Sequence, residues 1–284
     1  ASCLVGSEMC IRDSNEYIAE DYWFAVNGSS LPENLQGVRS RADEISEKYG
    51  VRILLSSQCL PACTFAEYPT TTTDQMDLAD EAASINAALD SLEEALSLYP
   101  AGFFPQFRSE FGDGGIRIML VGGFESNFNM IGYSVQNSLW HNIYVDIFSE
   151  GLVGTYCHEI WHATEDHITS INYGEFDVVQ WAELNPDGFQ YIFDPAESIL
   201  NEGDYTYFGS TKPKDCYFID GYAKTNERED RARIMEYAMT GFFGSELSEY
   251  PHLYAKLRYM SDKIRRYFDT TGWGVTRWES ALGE

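Results

Sequence analysis

The stretch that most constrains this chain is Gly154-Thr155-Tyr156-Cys157-His158-Glu159-Ile160-Trp161-His162-Ala163-Thr164-Glu165. Read as a helix, it sets His158 and His162 one turn apart on one face, with Glu159 beside them. Two neutral imidazoles so placed can hold one zinc ion at about 2.0–2.1 Å from each nitrogen. The glutamate between them is positioned to take a proton from a water that such an ion activates. Ile160 and Trp161 point elsewhere and can bury the back of the helix. Cys157 lies off the histidine face and reads as a small buried residue rather than a ligand. A buried helix can carry two histidines by chance, but this chain has only five. A strand-like run precedes the stretch and an acidic helix follows it.

With 284 residues, 44% of them hydrophobic, the chain can build one large domain or two small ones. Its formal net charge of −26 argues against nucleic acid and against an anionic membrane surface as partners. A solvated acidic surface is the plain reading of that charge, and a basic peptide is the partner it would favour. No apolar run reaches the ~18 residues that a membrane span needs. Residues Ala1 to Ser14 fit nothing that follows and resemble translated sequencing-adapter sequence, so they are set aside from the fold. The expectation is then that the true N-terminus, with any signal peptide or lipid anchor, is missing. Cys59, Cys63, Cys157 and Cys216 remain, and Cys59-Leu60-Pro61-Ala62-Cys63 could close a small disulfide in an oxidising compartment.

In chain order, Asn15 to Ser30 reads as an aromatic, acidic lead-in. A helix is expected from Leu31-Pro32-Glu33 to about Tyr49, with Gly50 as its stop, then a buried strand over Val51 to Ser57. Thr73 or Asp74 is expected to cap a helix from about Gln75 to Leu98. Ile116 to Val121 reads as a strand, and His141 to Phe148 alternates as a half-exposed strand. That last strand is placed at the edge of the cleft, where its free backbone could pair with an extended peptide. Thr169 to Asp215 has no periodicity, and Trp181 to Tyr191 within it is expected to wall the cleft. Helices resume from Asn226 to Thr240 and from Tyr250 to Phe268. The second should turn Leu253, Leu257, Met260 and Ile264 inward and Lys256, Arg258, Lys263, Arg265 and Arg266 outward. The layout is α+β: a small mixed sheet with the metal helix, then a mostly helical half. We expect a single domain over residues 15–284, with an N-terminal subdomain at 15–168 and a C-terminal one at 169–284.

Two histidines leave a catalytic zinc one protein ligand short. Downstream, Thr225 or Asn226 can cap a helix whose Glu227, Glu229, Asp230 or Glu236 could supply it. Spacing alone does not choose among them. The pair His158-Glu159-Ile160-Trp161-His162 and Tyr222-Ala223-Lys224-Thr225-Asn226-Glu227-Arg228-Glu229 resembles the gluzincin metallopeptidases related to the catalytic domain of anthrax lethal factor. It is also similar to zinc-binding metallopeptidases of gut bacteria, often lipoproteins, which share the Trp181, Leu184-Asn185-Pro186, Phe189 and Tyr191 pattern. The resemblance spans roughly residues 140 to 240 and implies a zincin-like fold. It implies Glu229 as the third zinc ligand and Tyr222 as the oxyanion donor, which leaves Glu227 and Glu236 dispensable. One position departs: the family usually has an acidic residue four after the third ligand, where this chain has Arg233. Two readings stand: Asp230 substitutes in orienting a ligand histidine, or the site is weakened.

Together these readings give a zinc-dependent endopeptidase holding one catalytic zinc ion on His158, His162 and Glu229. Glu159 is the general base and Tyr222 the oxyanion donor, with Tyr217 and His141 as competitors for the latter role. The expected partner is a protein or peptide substrate, with no nucleic acid, and the chain is expected to be a monomer. The family implies an extracytoplasmic place, secreted or at the cell surface, including as a lipoprotein. Two other readings compete: a zinc amidohydrolase on a non-peptide substrate, and a surface binding protein that keeps zinc for structure. Structural zinc would need neither Glu159 nor Tyr222.

Overall fold

The computed structural model describes residues 31–64, 68–125, 130–137, 139–172, 178–194 and 206–284. The expectations for residues 1–14 and for the lead-in to Ser30 lie outside them, as does part of the aperiodic stretch. The described residues form a mixed α+β protein. They pack as two units, the described residues of 31–93 with 104–152 and those of 94–103 with 153–284. The packing boundary falls at Leu152/Val153 and leaves both motif histidines in the second unit.

The first unit opens with helix α1 (Gln36–Tyr49), whose buried stripe is Val38, Ala42 and Ile45 and whose stop is Gly50 at φ 78°. Strand β1 (Arg52–Leu55) follows, then the short helix α2 (Leu60–Thr64) and strand β2 (Thr70–Thr71). Thr72 and Gln75 close a capping box on a 3-10 turn, so the helix expected from Gln75 does not start there. Helix α3 (Glu81–Ser97) starts later, where the Asp80 carboxylate accepts from the Ala83 amide at 2.9 Å. Strands β3 (Gly115–Val121), β4 (Gly123–Phe124), β5 (Gly132–Asn137) and β6 (Trp140–Asp146) complete the unit.

The main sheet runs β1-β3-β6-β5, with β1, β3 and β6 parallel and β5 antiparallel to β6. Strand β3 is buried at every position, as a parallel strand covered on both faces must be. Strand β6 was expected at the edge and half exposed; it is neither. It lies between β3 and β5, and His141, Asn142 and Tyr144 are as buried as Ile143 and Val145. Its polar side is covered because aromatic side chains there pack like apolar ones. Tyr144 stacks on Tyr133 at 4.5 Å and donates its hydroxyl to the Ala62 carbonyl at 3.0 Å. The true neighbour at the edge, β5, carries too little alternation to read as a strand from sequence. Cys59 and Cys63 are free thiols, with Cys59 Sγ against the Leu120 carbonyl, so the expected bridge gives no support to an oxidising compartment.

The second unit holds the end of α3 and helix α4 (Leu152–Asn172) from its second residue. It continues with helix α5 (Val178–Ala182), paired strands β7 (Thr206–Tyr207) and β8 (Cys216–Phe218), and helices α6 (Glu227–Thr240), α7 (Pro251–Tyr267) and α8 (Arg277–Ala281). An aromatic cluster seals its base: Phe103 stacks on Phe268 at 5.0 Å, with Trp273 and Trp278 alongside. Helix α7 buries Leu253, Leu257, Met260 and Ile264 as its spacing predicts. Lys256, expected outward, is instead fully buried on an acidic partner described below. Among the described residues no helix is long and apolar enough to cross a membrane.

Helix α8 starts on a capping box in which Glu279 accepts from the Thr276 amide and hydroxyl, while Arg265 grips its carboxylate at 2.6 Å. Burial works to raise the Glu279 carboxyl, but Arg265 and Thr276 outweigh it and hold its pKa at about 2. A carboxyl depressed on folding contributes stability above its unfolded pKa of about 4.3 and loses it as pH falls through the folded value. Glu279→Gln should therefore cost roughly 1–3 kcal/mol at pH 7, with the gap to wild type closing as pH drops from ~4.5. Denaturant melts at a series of pH values check this; a gap that stays constant with pH would remove Glu279 from the acid response.

Candidate metal centre

Every residue of α4 from Gly154 to Glu165 is buried. A helix buried all round belongs to a core, and its polar side chains must find partners there or cost several kcal/mol. Thr164 and Glu165 do so away from the histidines. Thr164 bonds back to the Ile160 carbonyl at 2.7 Å. Glu165 takes both prongs of Arg231, at 3.1 and 2.5 Å, in a pair about 4% exposed on each side. His158 and His162 face Glu229 of α6, while Glu159 Oε2 and His162 Nδ1 have no hydrogen-bond partner among the described residues.

Helix α6 begins at Asn226, whose side chain accepts from the amides of Arg228 (2.9 Å) and Glu229 (3.0 Å). That cap fixes Glu229 in the first turn, where a carboxylate suits the helix dipole. Its Oε2 lies 3.0 Å from His158 Nε2 and 3.5 Å from His162 Nε2, and the two imidazole nitrogens are 3.2 Å apart. Ligand atoms ~2.05 Å from one ion at tetrahedral angles stand ~3.3 Å from each other. His158, His162 and Glu229 thus form a mostly buried group that could hold a metal ion, with its three donor atoms at the spacing a four-coordinate ion needs.

The electrostatics of the group favour a cation. Burial works against charge on His158, but Glu229 and Glu236 outweigh it and raise its pKa to about 10. Burial likewise pushes Glu229 up, yet His162 and His158 hold it well below the usual carboxylate range. The other ring nitrogen of His158, Nδ1, donates to Glu236 Oε2 at 3.2 Å, which fixes the ring with Nε2 turned toward Glu229. Glu159 is 4% exposed, and burial raises its carboxyl, with the two histidines partly opposing. Its Oε2 has no hydrogen-bond partner among the described residues, which leaves an acceptor free beside the group. The Tyr222 ring lies 6.3 Å from the His158 ring, in the 3-10 turn Tyr222–Lys224 that leads into α6. Burial and the charges of Glu229 and Glu159 push its hydroxyl pKa up, so it stays a donor.

Other sequence candidates sit elsewhere. Glu227 lies outside the metal-capable group. Asp230, expected to orient a histidine, turns the other way: it is fully buried and accepts from Lys256 (2.7 Å) and from Tyr191 (2.9 Å). Tyr191 in turn accepts from Trp181 Nε1 and Asn185 Nδ2. Through Trp181, Asn185 and Tyr191 the Trp181–Tyr191 stretch supports the ligand helix by a part-buried chain of hydrogen bonds. Tyr217 stacks on His252 at 3.6 Å. His141 is buried in β6 of the first unit, edge-on to Phe107. Cys157 is fully buried, as its place off the histidine face implies.

Sequence reasoning missed Glu236 as the partner of His158. Two signals pointed to it. Glu236 lies two turns after Glu229 on the same face of α6, and Gly154 lies one turn before His158. A Cβ on Gly154 would come 3.0 Å from Glu236 Oε1, so the glycine makes the room that the carboxylate fills. Comparison with protein-family profiles, curated proteins and solved structures finds no match.

The geometry divides the acidic residues of α6 sharply. His158→Ala, His162→Ala or Glu229→Ala should each abolish near-stoichiometric metal uptake, measured by elemental analysis after desalting, while Glu227→Ala keeps it. Full retention of metal by Glu229→Ala would place the third ligand elsewhere.

Proposed function

We propose that the protein is a zinc-dependent endopeptidase. The observation that carries this reading is the meeting of three metal-ligand atoms with a buried carboxylate one residue from the first ligand, whose Oε2 has no hydrogen-bond partner among the described residues. Two imidazoles and one carboxylate, with a fourth position left open, are the donor set of catalytic zinc. A site meant only to hold structure would close the fourth position and would have no use for Glu159. Bound there, zinc would act as a Lewis acid on the scissile carbonyl and lower the pKa of water toward ~7.

The rest of the chemistry falls to the chain. Glu159, with its pKa raised by burial, is suited to accept the proton of the attacking water and to pass it to the departing amine. Tyr222 supplies a hydroxyl donor to the oxyanion that develops on the carbonyl oxygen as water adds to its carbon, an interaction worth about 2.7–4 kcal/mol in comparable sites. Glu236 keeps the His158 ring turned, so that only Nε2 is offered to the ion. The resemblance to gluzincins supports peptide as the substrate, and it alone supports an extracytoplasmic location.

Glu159→Gln should keep metal content and lower kcat by at least ~10²-fold on peptide substrates, since the ligands are untouched and the base is gone. Tyr222→Phe should leave metal and KM nearly unchanged and lower kcat by roughly 10²–10³-fold. Full activity in Glu159→Gln would dismiss the assigned base, and a Tyr222→Phe deficit lying wholly in KM would move the oxyanion role to another donor.

A further inference from the structure

Arg233 stands where the sequence reading saw a departure from the family pattern. In the structure its guanidinium bridges two carboxylates. Nη1 donates to Glu236 Oε2 at 2.5 Å, and Nε and Nη2 both donate to Asp220 Oδ2, at 2.9 and 2.5 Å. Glu236 Oε2 is the atom that accepts from His158 Nδ1. Asp220, through its other oxygen, accepts from the Ala223 amide at 3.0 Å and so fastens the Tyr222–Lys224 turn. One planar cation therefore closes a path from the Tyr222 turn through Asp220, Arg233 and Glu236 to the His158 ring. The arginine is about 20% exposed and Glu236 about 14%, so solvent screens the link only in part.

We propose that Arg233 is a positioning residue that locks the oxyanion donor to the metal-facing imidazole, so that the two halves of the site share one geometry. This rests on the endopeptidase reading above. An arginine serves where a lysine would not, because its fixed fork reaches two carboxylates at once while an ammonium is a single point. The tie also accounts for the absence of an acid four residues after Glu229. The acid has moved one turn on, to Glu236, and Arg233 occupies the vacated place between it and Asp220. Replacing one arm should therefore disturb one function, and replacing Arg233 should disturb both.

The test uses the full chain and three readouts: zinc affinity by chelator competition, the visible spectrum of the cobalt-substituted protein, and the kcat loss on Tyr222→Phe in each background. Glu236→Gln should weaken zinc binding roughly 10–100-fold and shift the cobalt bands, with the Tyr222 effect retained. Asp220→Asn should keep zinc affinity and the cobalt spectrum but shrink the Tyr222→Phe effect severalfold. Arg233→Met should do both, and Arg233→Lys should fail in at least one arm; the lysine variant decides if the methionine variant does not fold. Wild-type zinc affinity, spectrum and Tyr222 effect in folded Arg233→Met, or in Arg233→Lys if the former is unfolded, would overturn the proposal. A wild-type protein that takes up neither zinc nor cobalt would instead overturn the metal site itself.

Discussion

The arrangement of the second unit depends on one constraint: a helix carrying three titratable residues in five positions is buried on every side. In water His158, Glu159 and His162 would need nothing. Inside a core each must meet opposite charge, a hydrogen bond or a metal. The chain meets that demand with a second helix equally rich in charge. Helix α6 sends Glu229 and Glu236 to the histidines, Arg231 to Glu165 and Asp230 to Lys256. Its neighbours on two sides are thus ionic, and its buried apolar residues are Ala232, Ile234, Met235, Ala238 and Met239. At the centre, Glu159 Oε2 has no hydrogen-bond partner among the described residues and lies beside the ligand trio.

The support for α6 is layered. Asn226 caps it and sets Glu229 in place; the buried Lys256–Asp230 pair and the Trp181, Asn185 and Tyr191 side chains hold the opposite side. Buried ion pairs add little net stability when compared with apolar packing, because desolvation cancels most of the attraction. They are costly to break singly, and that makes them good at enforcing one orientation. A ligand helix needs that property more than it needs stability. Gly241 at φ 79° ends the helix, and a side chain there would meet the Arg277 guanidinium.

How much of this was legible in the sequence follows the same division. The histidine pair and its glutamate could be read from spacing, because a helix converts i, i+4 into one face without help from the rest of the chain. The buried strands β1 and β3 were legible for a like reason: a short run of apolar residues admits few alternatives. Strand β6 was found but misplaced, since Tyr144 looks solvent-facing until Tyr133 and Ala62 are seen to cover it. The choice of Glu229 over its acidic neighbours needed a resemblance, because helical spacing allows several. Glu236 and Lys256 were misread as a bystander and a surface charge, Arg233 was read only as a departure, and Asp220 was not singled out. Their roles are set by partners 13 to 78 residues away, and no local pattern carries that information.

The central claim is that two imidazoles and one carboxylate hold a single ion and leave a place for water. X-ray absorption at the zinc edge on the reconstituted full chain tests it without reference to activity. The expected first shell is nitrogen and oxygen only, at about 2.0–2.2 Å, with outer-shell scattering from two imidazoles. A sulfur scatterer at about 2.3 Å, which would bring Cys157 or another thiol into the shell, or scattering from more than two imidazoles, would contradict it.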